Sequence, residues 1–366
     1  MADSADDRGG MREHARLIYP FSEVPACGGA VDIAPGVKWL RMPLGGRLGF
    51  INVWAVLEDD GWAIIDTGMG GPDTLQAWRD AFSGPLAGMR ATRVFVTHMH
   101  PDHIGMAGWL TRKFDCRLWI TRLEFLTCHK LAADTGREAP QDGVGFYRAA
   151  GWDAEALETY RARFGAFGKM IHALPDSFRR LTDGDEVVIG GRAWRVVVGS
   201  GHSPEHACLY SPELKLLISG DQVLPKITSN VAVFPTEPEA NPLQDWFGSL
   251  ARIRAEVPDD VLVLPAHNEC FRGLHARLDY LAASQHAALD RLRQALVEPK
   301  RAIDVFASLF GRPIVATDAG LLGLATGESL ACLNFLVEEG AVGVREDDAG
   351  VAWYVAEGPP EAVRGP

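Results

Sequence analysis

The segment of this sequence richest in chemical groups carries three imidazoles and one carboxylate within six residues: Thr97-His98-Met99-His100-Pro101-Asp102-His103. It continues the apolar run Arg93–Thr97, which is typical of a β-strand, so these side chains are expected at a strand end. Imidazole nitrogen and carboxylate oxygen are ligands that zinc accepts. One ion cannot easily use four groups from so short a segment, whereas two ions about 3.5–4 Å apart can. The segment therefore predicts a site for two metal ions.

Three further residues of ligand type lie in other predicted strand-end loops. Each follows an apolar strand-like run and a small residue: His202 in Gly201-His202-Ser203, Asp221 in Ser219-Gly220-Asp221, and His267 in Ala266-His267-Asn268. This repeated layout brings five of the eleven histidines into the prediction. Together with the first motif, it predicts a complete ligand set from four segments of the chain.

The elements that must position these residues form two strand-rich halves separated by a mostly helical stretch, residues 121–180. The first half has strand-like runs before the helix Asp73–Ser83, at Val37–Met42, Phe50–Leu57 and Trp62–Asp66. The second half has further runs, at Glu186–Ile189, Ala193–Val198, Ala207–Tyr210, Leu214–Ile218 and Val261–Pro265. Each half carries part of the ligand set, so the pattern predicts two packed sheets flanked by helices, a four-layer α/β fold.

From about residue 273 the sequence changes character. Three predicted helices are followed by two short strands around a turn at Asp347–Gly350: Leu274–Leu296, Arg301–Phe310, Gly323–Glu338, Ala341–Arg345 and Val351–Ala356. This order is typical of winged-helix modules. The interpretation divides the chain into a flexible N-terminus (1–30), a catalytic domain (31–272) with the helical insert 121–180, and a small C-terminal winged-helix-like domain (273–366).

Composition narrows the class of protein. The 366-residue chain is 47% hydrophobic and 23% charged, which is ordinary for a globular protein. Its net charge of −12 argues against general binding to a phosphate backbone. We find no apolar run of about 18 residues and no apolar core in the acidic N-terminus. The six cysteines form no CxxC pair. These features predict a cytoplasmic protein with reduced thiols and no membrane partner.

The motif set resembles that of the metallo-β-lactamase superfamily. The segment 97–103 is similar to the HxHxDH signature, and GHS at 201–203, SGD at 219–221 and AH at 266–267 match the later motifs in the usual order. The resemblance covers roughly residues 35–272 and implies an αββα sandwich with two metals at the open edge between the sheets. The ligands it implies are His98, His100 and His202 for the first metal, Asp102, His103 and His267 for the second, and Asp221 as a bridge.

Four other residues are candidates for supporting roles. By the resemblance, Asp66 supports the ligand loop, although a turn-capping aspartate is the alternative. His206 either hydrogen-bonds a metal ligand or packs as an ordinary histidine in the next strand. Lys226 and Asn230 follow Asp221 closely and are candidates for substrate contact, with a solvated loop lysine as the alternative at 226.

The expected chemistry is hydrolysis. Zinc-bound water can have a pKa near 7, so a hydroxide bridging two metal ions would be a nucleophile at neutral pH. Asp102 is expected to orient it and to accept its proton. No GxSxG motif offers a serine nucleophile. The bridging aspartate resembles that of glyoxalase II-type thioesterases, lactonases and nucleases. The first hypothesis is hydrolysis of an ester, a lactone, or a thioester of glutathione or coenzyme A by two zinc ions, with iron or manganese as alternatives.

Two other functions follow from the predicted C-terminal domain. Some endoribonucleases of this superfamily carry a similar tail, so cleavage of single-stranded RNA is the second hypothesis. A DNA-binding regulator with a metal sensor is the third. Residues 272–366 hold nine Lys and Arg against thirteen Asp and Glu, and the hairpin tip is acidic, which argues against nucleic acid. We therefore expect a small-molecule substrate, and a C-terminal domain that closes the pocket or forms a homodimer.

Overall fold

The computed structural model describes residues 17–46, 48–311, 314 and 319–358. These residues form two compact units. The first comprises the described residues up to Thr135, Gly165–Ser229 and Ser249–Tyr280. The second comprises Gly136–Phe164, Asn230–Gly248 and the described residues from Leu281 onward.

A seven-stranded sheet lies in the first unit, with its strands side by side in chain order. They are β1 (Ala30–Ala34), β2 (Val37–Pro43), β3 (Phe50–Glu58), β4 (Gly61–Ile65), β5 (Arg90–Phe95), β6 (Arg117–Thr121) and β7 (Arg179–Leu181). Neighbours from β1 to β4 are antiparallel, and those from β4 to β7 are parallel. Parallel neighbours need crossover connections. The helices of the first unit in these connections are α1 (Pro72–Ser83), α2 (Pro101–Ile104), α3 (Ala107–Phe114) and α4 (Arg122–Ala133).

A second sheet of five strands has the order β12-β11-β10-β9-β8. Its strands are β8 (Glu186–Ile189), β9 (Arg192–Gly199), β10 (His206–Ser211), β11 (Leu216–Gly220) and β12 (Leu262–Pro265). Only β11 and β12 are parallel within this sheet, and the helix α7 (Pro242–Glu256) lies between them in the chain. The carboxyl ends of β11 and β12 therefore reach the same edge of the sheet.

Alternate residues of β3 enter two different hydrophobic cores, as the two-residue period of a strand requires. Val53 and Ala55 belong to the core that contains Trp78 of α1 and Leu110 of α3. Trp54 belongs to the core that the two sheets share, which also contains Trp194, Val196 and Ile218 of the second sheet. Helices thus pack on the outer face of the first sheet, and the second sheet packs on its inner face. On the other side of the second sheet, Glu256 of α7 forms an ion pair with Arg195 of β9 at 2.8 Å, so the predicted four-layer αββα sandwich is confirmed.

The second unit contains the helices α5 (Gln141–Ala149), α6 (Ala154–Arg163), α9 (Phe306–Phe310) and α10 (Ala319–Glu338), and most of α8 (Leu274–Ala295). The strands β13 (Val342–Glu346) and β14 (Ala352–Ala356) form an antiparallel hairpin after them. Three helices and a hairpin thus follow residue 273 in the order that the sequence predicted. Whether this arrangement is a winged-helix module stays a prediction.

Besides residues 230–248, which belong to the second unit, and residues 273–280, which belong to the first, two features differ from the predicted domain boundaries. Residues 136–164, assigned to an insert of the catalytic domain, belong to the second unit, where Trp152 Nε1 donates a hydrogen bond to Thr326 Oγ1 (3.0 Å). Residues 17–30, assigned to a flexible N-terminus, include Ile18, which pairs with Arg272 through two backbone hydrogen bonds. Residues 1–16 lie outside the described residues. Long-range packing decides both features, and local sequence patterns do not report it.

The helix α10 meets the length and composition test for a membrane span, over Gly320–Glu338 with a mean hydropathy of 1.5. The sequence predicted no candidate for a membrane span, and this prediction was wrong. The window is 61% buried, and the side chains of Ala331 and Leu333 are almost completely so. A helix that is apolar all round and buried is typical of a protein core as well as of a membrane, so the test is weak support for a span.

Candidate metal centre

All seven predicted ligands lie in loops or short helices that follow strands. His98 comes just after β5, His100 precedes α2, and α2 itself carries Asp102 and His103. The other three follow strands of the second sheet: His202 after β9, Asp221 after β11 and His267 after β12. Although they are up to 169 positions apart in the sequence, these side chains converge in the first unit. They form three overlapping groups able to hold a metal ion: two are described next, and the third combines His98 and His103 with Asp221.

Three imidazoles form the first group. His98 Nε2 lies 2.9 Å from His100 Nδ1, His100 Nδ1 lies 3.1 Å from His202 Nε2, and His202 Nε2 lies 3.2 Å from His98 Nε2. The three nitrogens therefore form a nearly equilateral triangle. Zinc–nitrogen bonds of about 2.0–2.1 Å in a tetrahedral arrangement place ligand nitrogens about 3.3 Å apart. The triangle fits one small divalent cation.

Two imidazoles and a carboxylate form the second group. Asp102 Oδ2 lies 3.4 Å from His267 Nε2 and 3.8 Å from His103 Nε2. These separations are slightly wider than those of the first group, but they remain on the scale of a ligand shell around one ion. We define the first group as the three-histidine group and the second as the mixed group.

Asp221 lies between the two groups and directs one oxygen towards each. Its Oδ1 is 3.5 Å from both His103 Nε2 and His267 Nε2, and its Oδ2 is 3.6 Å from His202 Nε2. Asp221 Oδ1 and His103 Nε2 are buried and form no hydrogen bond with another group. Buried polar atoms are normally satisfied. These two atoms therefore fit the role of metal ligands.

Burial and neighbouring groups favour neutral imidazoles at His98 and His100, which suit metal binding, but protonated imidazoles at His103 and His267. Burial and neighbouring imidazoles lower the pKa of His98 well below its usual value and that of His100 to about 3, so both are neutral at pH 7. Burial alone would raise the pKa of Asp221, but His267 and His103 hold it well below its usual range. Burial alone would lower the pKa of His267, but Asp221 and Asp102 raise it to about 10. His267 must therefore lose a proton when it binds a metal.

Asp66 supports the imidazole of His103. It is fully buried, and its carboxylate accepts hydrogen bonds from Thr97 N, Thr97 Oγ1 and His103 Nδ1, each at 2.8 Å. Because Nδ1 donates its proton in this hydrogen bond, Nε2 is the ring nitrogen that faces Asp102 and Asp221. Burial alone would lower the pKa of His103, but Asp66, Asp221 and Asp102 raise it well above its usual value, so Nε2 must lose a proton before it can bind a metal. These contacts are compatible with the support of the ligand loop that the resemblance implied for Asp66, and that role stays a prediction.

His206 contacts the loop that carries Asp221. Its Nε2 accepts a hydrogen bond from Asp221 N at 3.1 Å. Gly220 leaves the space for this contact, since it adopts a φ of 50° and a Cβ there would lie 2.5 Å from His206 Nε2. His206 is also fully buried at the start of β10, so both alternatives describe it, and a supporting role stays a prediction.

The two candidates for substrate contact have other partners. Lys226 Nζ lies 2.7 Å from Glu269 Oε2 and 5.3 Å from the centre of the Tyr19 ring. Asn230 belongs to the second unit, where its Nδ2 donates to Glu328 Oε2 at 3.0 Å. These contacts involve no predicted ligand, and a role in substrate binding stays a prediction for both residues.

Sequence reasoning missed two buried residues that hold ligand loops. Asn52 of β3 donates from Nδ2 to Pro265 O at 2.8 Å and to Asn268 O at 2.7 Å, so it holds the loop on both sides of His267. A single asparagine in the apolar run Phe50–Leu57 was the available signal. The other missed residue is Glu124, a fully buried carboxylate in the first turn of α4.

Known proteins match both parts of the chain. The family profile described as Metallo-beta-lactamase superfamily matches residues 46–267, and the profile described as Metallo-beta-lactamase-like, C-terminal domain matches residues 289–357. A solved structure of a beta-lactamase domain protein from Burkholderia ambifaria is 39% identical, with a TM-score of 0.86, over 94% of this chain and 99% of that chain. A metallo-beta-lactamase family protein from Thermus thermophilus is 26% identical, with a TM-score of 0.75, over 89% and 100%.

A curated relative carries a named activity. The acyl-coenzyme A thioesterase MBLAC2 of Gallus gallus is 27% identical over 196 residues, which cover 52% of this chain and 64% of that protein. The superfamily profile spans more than half of the chain and includes every predicted ligand. The ligand geometry, the fold and these matches lead to one conclusion: the chain belongs to the metallo-beta-lactamase superfamily.

Proposed function

We propose that this protein is a dinuclear metal-dependent hydrolase whose substrate is a thioester, with the thiol of coenzyme A or glutathione as the leaving group. The observation that carries the proposal is the position of Asp221, with one carboxylate oxygen towards the three-histidine group and the other towards the mixed group. A bridging carboxylate allows two cations to lie close together despite their repulsion. Lactones and other esters are the next substrates to test, because their carbonyl chemistry is the same.

When bound, two divalent cations would lower the pKa of a water molecule and polarise the carbonyl under attack. Five neutral imidazoles and two carboxylates would hold them, and this donor set suits zinc, with iron and manganese as alternatives. Asp102 is the proposed proton acceptor. Burial alone would raise its pKa, but His103 and a hydrogen bond with His267 lower it, so the carboxylate is ionised at neutral pH.

Hydrolysis breaks the carbon–sulfur bond of the thioester and forms a carbon–oxygen bond to water. The thiol leaves with one proton, and the acid product ionises. The chain supplies no covalent nucleophile in this scheme. Ser203 Oγ, the hydroxyl that follows His202, donates its hydrogen bond to the buried carboxylate of Glu124 at 2.7 Å and is committed to that role.

Support for a thioester comes from the relative that is named an acyl-coenzyme A thioesterase, which is 27% identical to this chain. We also propose a cytoplasmic location and a homodimer, with no nucleic-acid or membrane partner. All six cysteines lie within the described residues and form no disulfide, which is compatible with a reducing compartment.

Substrate profiling of zinc-reconstituted protein tests the proposal. The substrates are acetyl- and palmitoyl-coenzyme A, S-lactoylglutathione, a homoserine lactone, a chromogenic β-lactam and a single-stranded RNA. We expect thioester turnover that falls at least about 100-fold in Asp221→Asn, because the bridge between the metals is weakened. His275→Ala is the matched control, since its imidazole contacts Val257 O and belongs to no ligand group. Cleavage of RNA alone would replace the proposal with the endoribonuclease, and no turnover of any substrate would refute it.

A further inference from the structure

Glu124 is a fully buried carboxylate in the first turn of α4 and is not one of the metal ligands. A buried carboxylate is costly unless it is well hydrogen-bonded. Glu124 accepts three hydrogen bonds: Oε2 from Met99 N at 2.8 Å, and Oε1 from Ser203 Oγ and from Glu205 N, both at 2.7 Å. All its donors thus come from two distant loops of the first unit.

The positions of these donors connect Glu124 to the three-histidine group. Met99 lies between His98 and His100, and Ser203 follows His202 directly. One carboxylate therefore holds the two loops that supply all three imidazoles of the group. A shift of either loop relative to the other would lengthen at least one of these hydrogen bonds.

A purely structural role at the start of α4 is already filled by Glu205. The residue that precedes α4, Thr121, makes no side-chain cap. Glu205 Oε2 accepts the hydrogen bond from Leu123 N at 2.7 Å, and its backbone oxygen accepts one from Thr121 Oγ1 at 2.7 Å. The start of the helix thus has its own anchor, and Glu124 is directed to the ligand loops instead.

We propose that Glu124 is a positioning residue that sets the spacing of the three-histidine group and thereby its metal affinity. The inference rests on the proposed metal centre and names a residue that acts on it through two loops. Hydrogen bonds to an ionised carboxylate are shorter and stronger than neutral ones. Three of them fix the loops so that the imidazole nitrogens stay 2.9–3.2 Å apart.

The role requires a carboxylate of this length. A glutamine at this position has one acceptor oxygen and one NH₂ group. The NH₂ group would face either the N–H of Met99, or the donors of Ser203 and Glu205. Either placement sets a donor against a donor. An aspartate is shorter by one methylene group and cannot reach both loops from the same backbone position.

Metal binding by Glu124→Gln tests the role, with Glu205→Gln as the matched control. The control removes a neighbouring charge, but its amide oxygen can still accept from Leu123 N, and its backbone N–H still reaches Glu124. Zinc affinity is measured by competition with a chelator, cobalt(II) absorption reports the ligand geometry, and the melting temperature of the metal-free protein reports folding. We expect one of two metals to bind about 10–100-fold more weakly in Glu124→Gln, with a changed cobalt spectrum. Glu205→Gln should retain the wild-type affinity and spectrum.

Ser203→Ala is the second variant if Glu124→Gln does not fold, because it removes one donor without creating a clash. We expect a smaller loss of affinity at the same single metal. Wild-type affinity and spectrum in a folded Glu124→Gln, or an equal loss in Glu205→Gln, would overturn the inference. Failure of the proposed function is distinguishable, since it concerns the wild-type protein, which would then bind no metal or would bind metal without turning over a thioester, whereas failure of this inference leaves the wild type unchanged and concerns the metal affinity of Glu124→Gln.

Discussion

The substitution Asp66→Asn isolates the contribution of one hydrogen bond to the metal centre. Asp66 adopts a φ of 60°, a conformation that asparagine tolerates well, so the backbone should be retained. The two side chains have nearly the same shape. What changes is the ability to accept a hydrogen bond from Thr97 and from His103 at the same time.

The size of the effect follows from the tautomer of His103. If the amide oxygen of the introduced asparagine keeps the bond to Thr97 N, its NH₂ group faces His103 Nδ1, which lies 2.8 Å from the carboxylate in the wild-type protein. Nδ1 must then accept, and the imidazole proton moves to Nε2, the atom that faces Asp102 and Asp221. Losing such a supporting contact typically costs 10–100-fold in metal affinity, or about 1.4–2.8 kcal/mol.

The assay is a zinc titration against a competing chelator, with calorimetric unfolding to verify that the variant is folded. We expect weaker binding of one metal, the one held by the mixed group, and a corresponding loss of thioester turnover. Asp185→Asn is the matched control, because that carboxylate accepts a single hydrogen bond from Thr182 N, which an amide oxygen can also accept. Binding of both metals within twofold of wild type by folded Asp66→Asn would refute the tautomer argument.

Three further predictions concern protons and packing. The pKa of His267 is raised to about 10 in the metal-free protein, so zinc binding at pH 7 should release the proton of His267. The apparent zinc affinity should therefore rise with pH. Calorimetry in two buffers of different ionisation enthalpy measures the number of protons released. Burial raises the pKa of Glu328 to about 7 from the usual 4.5. The free energy of unfolding of the wild type should therefore fall as pH rises from about 4.5 through 7, by at most about 3 kcal/mol. A series of melting temperatures against pH should show this fall in the wild type and not in Glu328→Gln. Gly220→Ala should weaken metal binding, as determined by metal analysis, because the added Cβ would displace His206 and the loop of Asp221.

Each of these predictions has a contrary outcome. Zinc binding with no proton release at pH 7 would mean that His267 is already neutral in the metal-free protein. If the stability of Glu328→Gln depends on pH as that of the wild type does, other carboxyl groups cause that dependence. The Asn230 amide can still donate to the new glutamine, so the variant tests charge alone. Full metal content in Gly220→Ala would show that the loop of Asp221 accommodates the added Cβ. Gly248→Ala is the control, because a Cβ at that position on α7 lies in open space.

The sequence predicted the elements that local patterns report. The strand expected at Val37–Met42 is observed as Val37–Pro43, because its apolar residues and the turn that follows mark a strand clearly. The convergence of the seven candidate ligands could be predicted because each of their segments follows an apolar strand. The strand Ala30–Ala34 was missed, since its side chains are only partly buried and give little apolar alternation.

Residues that act over long separations could not be predicted. Asn52 holds the backbone at Pro265, 213 positions later, and Glu124 contacts Ser203, 79 positions later. No local period relates such pairs. The membership of residues 136–164 in the second unit has the same origin, because packing with α10 decides it, as the Trp152–Thr326 hydrogen bond shows.

The most direct test of the dinuclear centre is the number of metal ions that each chain binds. Protein stripped of metal, reconstituted with zinc and freed of excess metal should contain two zinc ions per chain by elemental analysis, because each of the two ligand groups fits one ion and Asp221 lies between them. We expect two ions per chain in the wild type and fewer in Asp221→Asn. No bound zinc, or one ion per chain that Asp221→Asn leaves in place, would contradict a centre bridged by Asp221.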